Sequence, residues 1–563
     1  MSSNEKTSFD VRVKLFSFIF ICLFSLNATS TWAENTSTKK IETGITEYKN
    51  IGEGRLASKP KGTSTTDHSK LEELQGPFLS GPDVTRACLK CHNTAGHQFK
   101  KNKHWTWEYK DTETGQMLGK KHLVNTFCTN ARGNEGMCAQ CHAGYGWKDD
   151  DFDFDNEENM DCLACHESTG KYYKTPTSNG SKACSSMFEG KKPIDWIKTA
   201  KSVGMPSRTN CGSCHFFGGG GDNVKHGDLS SALYNPDKEL DVHMDTKGLD
   251  FACTTCHIGE GHEWSGSRYK MSVAGKHDMP KPGMKREVAS CKSCHSDAPH
   301  SITTIAGNKL NTHTKKVACE TCHIPTFARG GVATKTDWDW RTMGKLKDGE
   351  GYKESTYTQG NGEHRYTYKS IKGDFKYAED VKPMYAWFNG KMNFLTIDQK
   401  FDPKELPLKV NHFKGSHNDP DSRIYPFKEM RTVQPYDKVN NTLVYMELWG
   451  DNNTSLWGNY DFGKAIKAGM EKYSLPYSGE FEFINAVSYW PINHMVTPKD
   501  KALDCNECHA KEGRLKDLKG FYMPGRGDYK LLDIIGLLLI LGTLGGVLFH
   551  ALIRLIASKK RSA

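Results

Sequence analysis

Two apolar runs interrupt a chain that is otherwise polar. Leu15 to Leu26 follows Arg12 and Lys14 and leads to Thr31-Trp32-Ala33. A charged start, an apolar middle and a small-residue end predict a secretory signal over residues 1–33. Ile534 to Ile553 gives 20 residues with His550 as the one ionisable side chain. At ~1.5 Å per residue such a helix crosses a hydrocarbon core of ~30 Å, which predicts a transmembrane helix over residues 531–557. Lys559-Lys560-Arg561 mark residues 558–563 as a cytoplasmic tail. The two runs agree with each other. They put the main part of the chain on the periplasmic face of the cytoplasmic membrane, held by a single C-terminal anchor.

Between them the pattern is broken into short pieces. Residues 34–66 are rich in Lys, Thr, Ser and Gly and read as a flexible tether. Residues 324–504 are rich in Trp, Tyr, Phe, Gly and charge, with turn signals at Asn361-Gly362 and Asp419-Pro420. They read as short helices and loops that wrap a neighbouring region, with a hairpin around Arg365 to Tyr368, rather than as a separate domain. The acidic run Asp149 to Glu158 reads as a solvated loop.

What the chain wraps is legible from its cysteines. Seven C-x-x-C-H units follow one another within residues 67–323: Cys88/Cys91/His92, Cys138/Cys141/His142, Cys162/Cys165/His166, Cys211/Cys214/His215, Cys253/Cys256/His257, Cys291/Cys294/His295 and Cys319/Cys322/His323. An eighth, Cys505/Cys508/His509, lies in the segment 324–528. In this motif two thiols bond to haem vinyl groups and the adjacent His becomes the proximal iron ligand. On one helical turn, positions i, i+3 and i+4 share a face, so the spacing has a geometric reason. One copy would also suit a zinc knuckle; eight in an exported chain point to eight covalently attached c-type haems. The expected fold is a multihaem cytochrome c, mainly α-helix and irregular loops packed around the haems, with little strand and one C-terminal transmembrane helix.

Composition agrees. Hydrophobic residues are only 36% and the mean hydropathy is −0.66, low for a chain of 563 residues unless macrocycles supply much of the apolar surface. Of the formal charge of +9, residues 1–33 carry +1 and residues 530–563 carry +4, leaving +4 that haem propionates would cancel. Nucleic acid is not an expected partner. Sixteen of the 19 cysteines sit in motifs and Cys22 lies in the leader. Cys128 and Cys184 remain, either as a disulfide or with a thiol near a reactive haem.

Fifteen histidines lie outside the motifs. A haem used only for electron transfer is usually closed by a second His. Candidates are His68, His97, His104, His122, His226, His243, His262, His277, His300, His313 and His494, with His364, His412 and His417 ranked lower because they lie in the motif-free segment. An enzyme also needs one iron that substrate can reach. No motif reads C-x-x-C-K. Gly218 to Gly221 let the backbone approach a macrocycle closely and deliver Asp222, Lys225, His226 and Asp228 just past motif four. A lysine ligates iron only when deprotonated, a state that burial favours.

The eight motifs, Ile324-Pro325, the segment His104-Trp-Thr-Trp107 and the stretch Cys211 to Asp228 with its glycine run resemble the octahaem tetrathionate reductase family over roughly residues 67–525. Motif count alone would also suit relatives of hydroxylamine oxidoreductase. The resemblance implies one haem with a lysine ligand from outside its own motif, beside a cysteine and an acid. The matching positions are Lys225, Cys128 and Asp222, around the haem of Cys138, Cys141 and His142. It further implies a respiratory oxidoreductase that reduces tetrathionate to thiosulfate, with nitrite and hydroxylamine as other substrates. A membrane-tethered electron conduit and a hydroxylamine-type oxidase are the alternatives. In the membrane helix, Gly542, Gly546 and His550 share a face that suits a partner helix, expected in a membrane cytochrome b or another quinone-linked protein.

Overall fold

The computed structural model describes residues 65–561 apart from 125–129, 187–191, 265, 270, 272–289, 451 and 528. The leader, nearly all of the tether, Cys128 and His277 lie outside the described residues.

Each C-x-x-C-H unit sits on a short helical turn. The first closes helix α1 (Gly81–Cys91), which starts with a capping box between Ser80 and Asp83. The fourth closes α2 (Arg208–His215), with a similar box between Ser207 and Asn210. In motifs one, three, five and eight the His amide donates to the carbonyl of the first Cys, at 2.8 to 3.0 Å. Motif two is different. Cys138 ends one turn, Ala139–Cys141 form a 3-10 turn, and His142 leaves it extended with its amide on Ala139.

The segment 324–504 departs from the loops expected of it. Strand accounts for 19% of the structure rather than little, and most lies in one nine-stranded sheet here. Its strands are β1 (Thr334–Asp339), β2 (Lys353–Glu354), β3 (Tyr368–Lys369), β4 (Gly373–Ala378), β5 (Met384–Phe388), β6 (Leu408–Lys409), β7 (Arg423–Asp437), β8 (Thr442–Leu443) and β9 (Phe481–Pro491). The order is β2-β3-β4-β1-β7-β9-β6, with β5 and β8 also paired to β7. β7 runs antiparallel to β9 from Phe427↔Pro491 to Asp437↔Phe481, and parallel to β1. The physical reason this strand is hard to read is that β7 is buried on both faces and contains Pro426 and Pro435. It therefore lacks the alternation of a half-buried strand and carries residues that usually argue against one.

Helix α3 (Phe462–Glu471) packs Ala465, Ile466 and Met470 against this sheet, in a core that includes the stacked pair Trp338 and Trp340. The chain then returns through motif eight to α4 (Lys530–Arg561). Its stretch Lys530–Lys559 has a mean hydropathy of 2.3 with none of it buried, so it is long and apolar enough to cross a membrane. The Tyr522 hydroxyl donates to Asp533 in its first turn, at 3.0 Å.

Candidate functional site

The motif histidines are arranged in pairs with histidines from elsewhere. Ring centroids lie 6.3 Å apart for His92 and His68, 6.3 Å for His166 and His262, and 5.9 Å for His215 and His104. They lie 6.3 Å apart for His257 and His494, 6.0 Å for His295 and His243, 6.3 Å for His323 and His300, and 6.0 Å for His509 and His313. This spacing fits a metal between two rings. Two metal–imidazole bonds of about 2 Å, with about 1 Å from each nitrogen to its ring centre, come to roughly 6 Å.

The remote nitrogens are held too. His166 Nδ1 bonds the Gly204 carbonyl at 2.9 Å, and His509 Nδ1 the Pro524 carbonyl at 3.0 Å. His104, His262 and His300 bond the side-chain oxygens of Asn102, Gln98 and Asn311. Such contacts orient the ring and fix its tautomer.

Among the described residues, no histidine lies opposite His142. Its Nε2 is 2.6 Å from the Trp105 carbonyl, and its ring stacks on Trp105 at 5.3 Å between Trp107, Trp147 and Phe152. Its Nδ1 is buried without a hydrogen-bond partner among the described residues. Burial, then the charge of Lys174, pushes this imidazole down to about 3. Lys174 donates to the Gly144 carbonyl and pairs with the buried Asp161 at 3.1 Å, which also accepts from Tyr145 and Tyr172. That network locks motif two against motif three. The extended exit of His142 from its 3-10 turn is what turns the ring into the aromatic box.

The loop expected to serve motif two comes from the other side. Gly219 and Gly220 have positive φ, which suits glycine at this sharp turn. Lys225 places its ammonium 4.9 Å from the Trp490 ring, and its charge reaches Cys141 and His215. His226 meets Trp490 edge-on at 5.3 Å instead of facing a motif histidine, and burial pushes its ring well below the usual histidine range. Arg268 lies 4.8 Å from the same Trp490 ring, and Lys120 4.1 Å from that of Trp107. Asp222 is buried, and its two oxygens take the Ser231 amide and hydroxyl. Burial raises its carboxyl above the usual range, against Arg365 and those bonds.

The motif thiols, which stand where thioethers would be, also show which motifs adjoin. Cys88 lies beside Cys162, Cys141 beside Cys214, Cys211 beside Cys253 and Cys291 beside Cys319. Cys256 is within electrostatic reach of Cys294, and Cys322 of Cys508.

A crystal structure of octahaem cytochrome c from Shewanella oneidensis matches with a TM-score of 0.68 and 40% identity, over 80% of this chain and 95% of that one. The chain belongs to the octahaem cytochromes c. Two family descriptions agree with that: cytochrome c bacterial over residues 335–512, and cytochrome c554 and c-prime over residues 87–167 and 252–324. An uncharacterised protein of Archaeoglobus fulgidus is 27% identical over 259 residues, spanning 38% of this chain and 85% of its own. The octahaem cytochrome carries covalently attached c-type haem and is a redox protein.

Other histidines in this cytochrome lie apart from the pairs. His122 contacts Glu108, His364 contacts Thr358, His412 contacts Asn393, and His417 packs on Trp387 and Phe521. His97 sits exposed on a short helix, Ala95–Phe99. The buried Cys184 thiol donates to the Ser186 carbonyl at 3.0 Å. Residues that sequence reasoning missed are Trp490, Arg268, Lys120, Lys174 and Lys428, which reach the site from five separate segments and belong to no motif.

Proposed function

We propose that this octahaem cytochrome is a respiratory oxidoreductase that reduces a small inorganic substrate beside motif two, with seven haems closed by two histidines each. Tetrathionate is the first substrate; taking up two electrons, it is cleaved at its central sulfur–sulfur bond to two thiosulfates. Nitrite and hydroxylamine are the others. The observation that carries this reading is that, among the described residues, His142 alone of the eight motif histidines has no histidine opposite it.

When bound, the haems carry electrons singly along the array. The chain's own residues do the rest. Lys225 would supply an amine to an iron at motif two. With Lys120 and Arg268 it gives the site a cationic wall that holds anionic oxygens. The box of Trp105, Trp107, Trp147, Phe152 and Phe154 keeps water from the motif. Residues 530–559 anchor the protein to the membrane, with the haem region on the periplasmic side. A quinone-linked membrane partner exchanges electrons with the array.

The test is Lys225→Leu in the purified holoprotein. One haem should change its axial signature in electron paramagnetic resonance while the other signals persist, and turnover of tetrathionate, nitrite or hydroxylamine should fall by at least tenfold. Eight low-spin, doubly ligated haems in the parent, with no turnover of any of the three, would make the protein an electron conduit instead.

A further inference from the structure

Among the described residues, five of the paired histidines set the remote nitrogen against neutral oxygens, and a sixth sets it against a charged one. The neutral oxygens are those of the Gly204 and Pro524 carbonyls and the side-chain amides of Asn102, Gln98 and Asn311. His494 is the exception. Its Nδ1–H donates to the carboxylate of Asp228 at 3.0 Å. His243 comes nearest to it, but Asp241 stands 3.9 Å from its Nδ1, too far for a hydrogen bond.

Asp228 is 1% exposed. One oxygen, Oδ2, also takes the amides of Asn493 at 2.7 Å and His494 at 3.1 Å, so the carboxylate cannot swing away from the ring. Lys428, also buried, donates to the Val224 and Lys225 carbonyls and the Thr334 hydroxyl, and it is within electrostatic reach of Asp228. Asp241 adds a second carboxylate close by, on the amides of Met495 and Val496.

We propose that Asp228 sets the reduction potential of the motif-five haem by pulling on the Nδ1 proton of His494. A carboxylate there makes the opposite nitrogen a stronger donor, which favours ferric over ferrous iron and lowers the potential. Burial makes the effect large, because little solvent screens the charge. This inference rests on the reading that His257 and His494 ligate one iron from opposite sides.

Spectroelectrochemical titration of the full-length holoprotein tests it. Asp228→Asn keeps an acceptor for the same three N–H groups and removes the charge. One low-spin haem should move to higher potential while the rest stay; no shift, or an equal shift of all, overturns the proposal. Should that variant lose haem, Gln98→Glu applies the same logic to His262 and should move one other haem to lower potential; no shift there overturns the proposal as well. His494→Met separates the two ideas. If it leaves every low-spin signal unchanged, the ligand reading fails. If it alters one signal while Asp228→Asn moves no potential, the tuning alone fails.

Discussion

The buried amine of Lys428, on strand β7, donates to the backbone carbonyl of Lys225 at 3.2 Å, and to the preceding carbonyl of Val224 at 2.8 Å. The sheet thus grips the loop beside motif two by its backbone. Gly227 allows the grip, since a Cβ there would come within 2.8 Å of Phe327 and 3.0 Å of the Lys428 side chain. Lys428→Met keeps the stem and removes the donors. Leaving two buried carbonyls unpaired costs about 1–3 kcal/mol, so the melting temperature should drop, and turnover should fall with it. Unchanged activity would show that the loop holds its position without the sheet.

Haem content follows from the motifs. Intact mass of the mature holoprotein should exceed that of its polypeptide by about 4.9 kDa, eight additions of ~0.6 kDa. Seven additions after full maturation would single out one motif as structural. Motif two, with its 3-10 turn, is where that shortfall should then be sought by peptide mapping.

Asp437, at the end of β7, accepts from the amides of Val439, Asn440 and Ser478 and from the Ser478 hydroxyl. Burial pushes its carboxyl up, but these bonds outweigh burial and hold it below the usual 3.8. A lowered folded value means stability that is fully present above the unfolded value and lost as pH falls through the folded one. Asp437→Asn should cost about 1–2 kcal/mol at pH 7. The difference from the parent in urea midpoint should shrink below about pH 4. A difference independent of pH would mean that charge plays no part.

The membrane helix makes its own prediction. Nothing in α4 is buried against the haem region within its apolar span, so a chain ending at Tyr529 should stay soluble with the same haem spectra. The full-length protein should need detergent. Purified gently, it should bring a quinone-linked protein with it, and Gly546→Leu should release that protein if the small-residue face is the contact.

How much of this was legible in the sequence depended on distance along the chain. A C-x-x-C-H unit spans one helical turn, so its chemistry shows in the residues themselves. The distal histidines were visible as candidates, but not their pairing, because His494 faces His257 and His104 faces His215 across long stretches of chain. His226 looked equally suitable and faces Trp490 instead. The sheet was hidden because β7 is buried on both sides and interrupted by prolines. Lys428 could not be found at all. A lysine in a strand reads as a surface residue until the loop that uses its protons is folded onto it.

The thiol contacts described above have a consequence for traffic. Motif four adjoins motif two through Cys214, motif five through Cys211, and motif three through the charge of Cys165 on Cys211. The motifs therefore adjoin as a fork rather than a line, with one short branch through motifs three and one and one long branch through motifs five to eight. The long branch ends where the chain enters the apolar helix. Motif two also touches motif three directly, since the Asp161 amide donates to the Ala143 carbonyl at 3.0 Å, so it adjoins the short branch as well as the crossing at motif four. Losing motif four would cut the long branch off from motif two and leave the short branch joined to it.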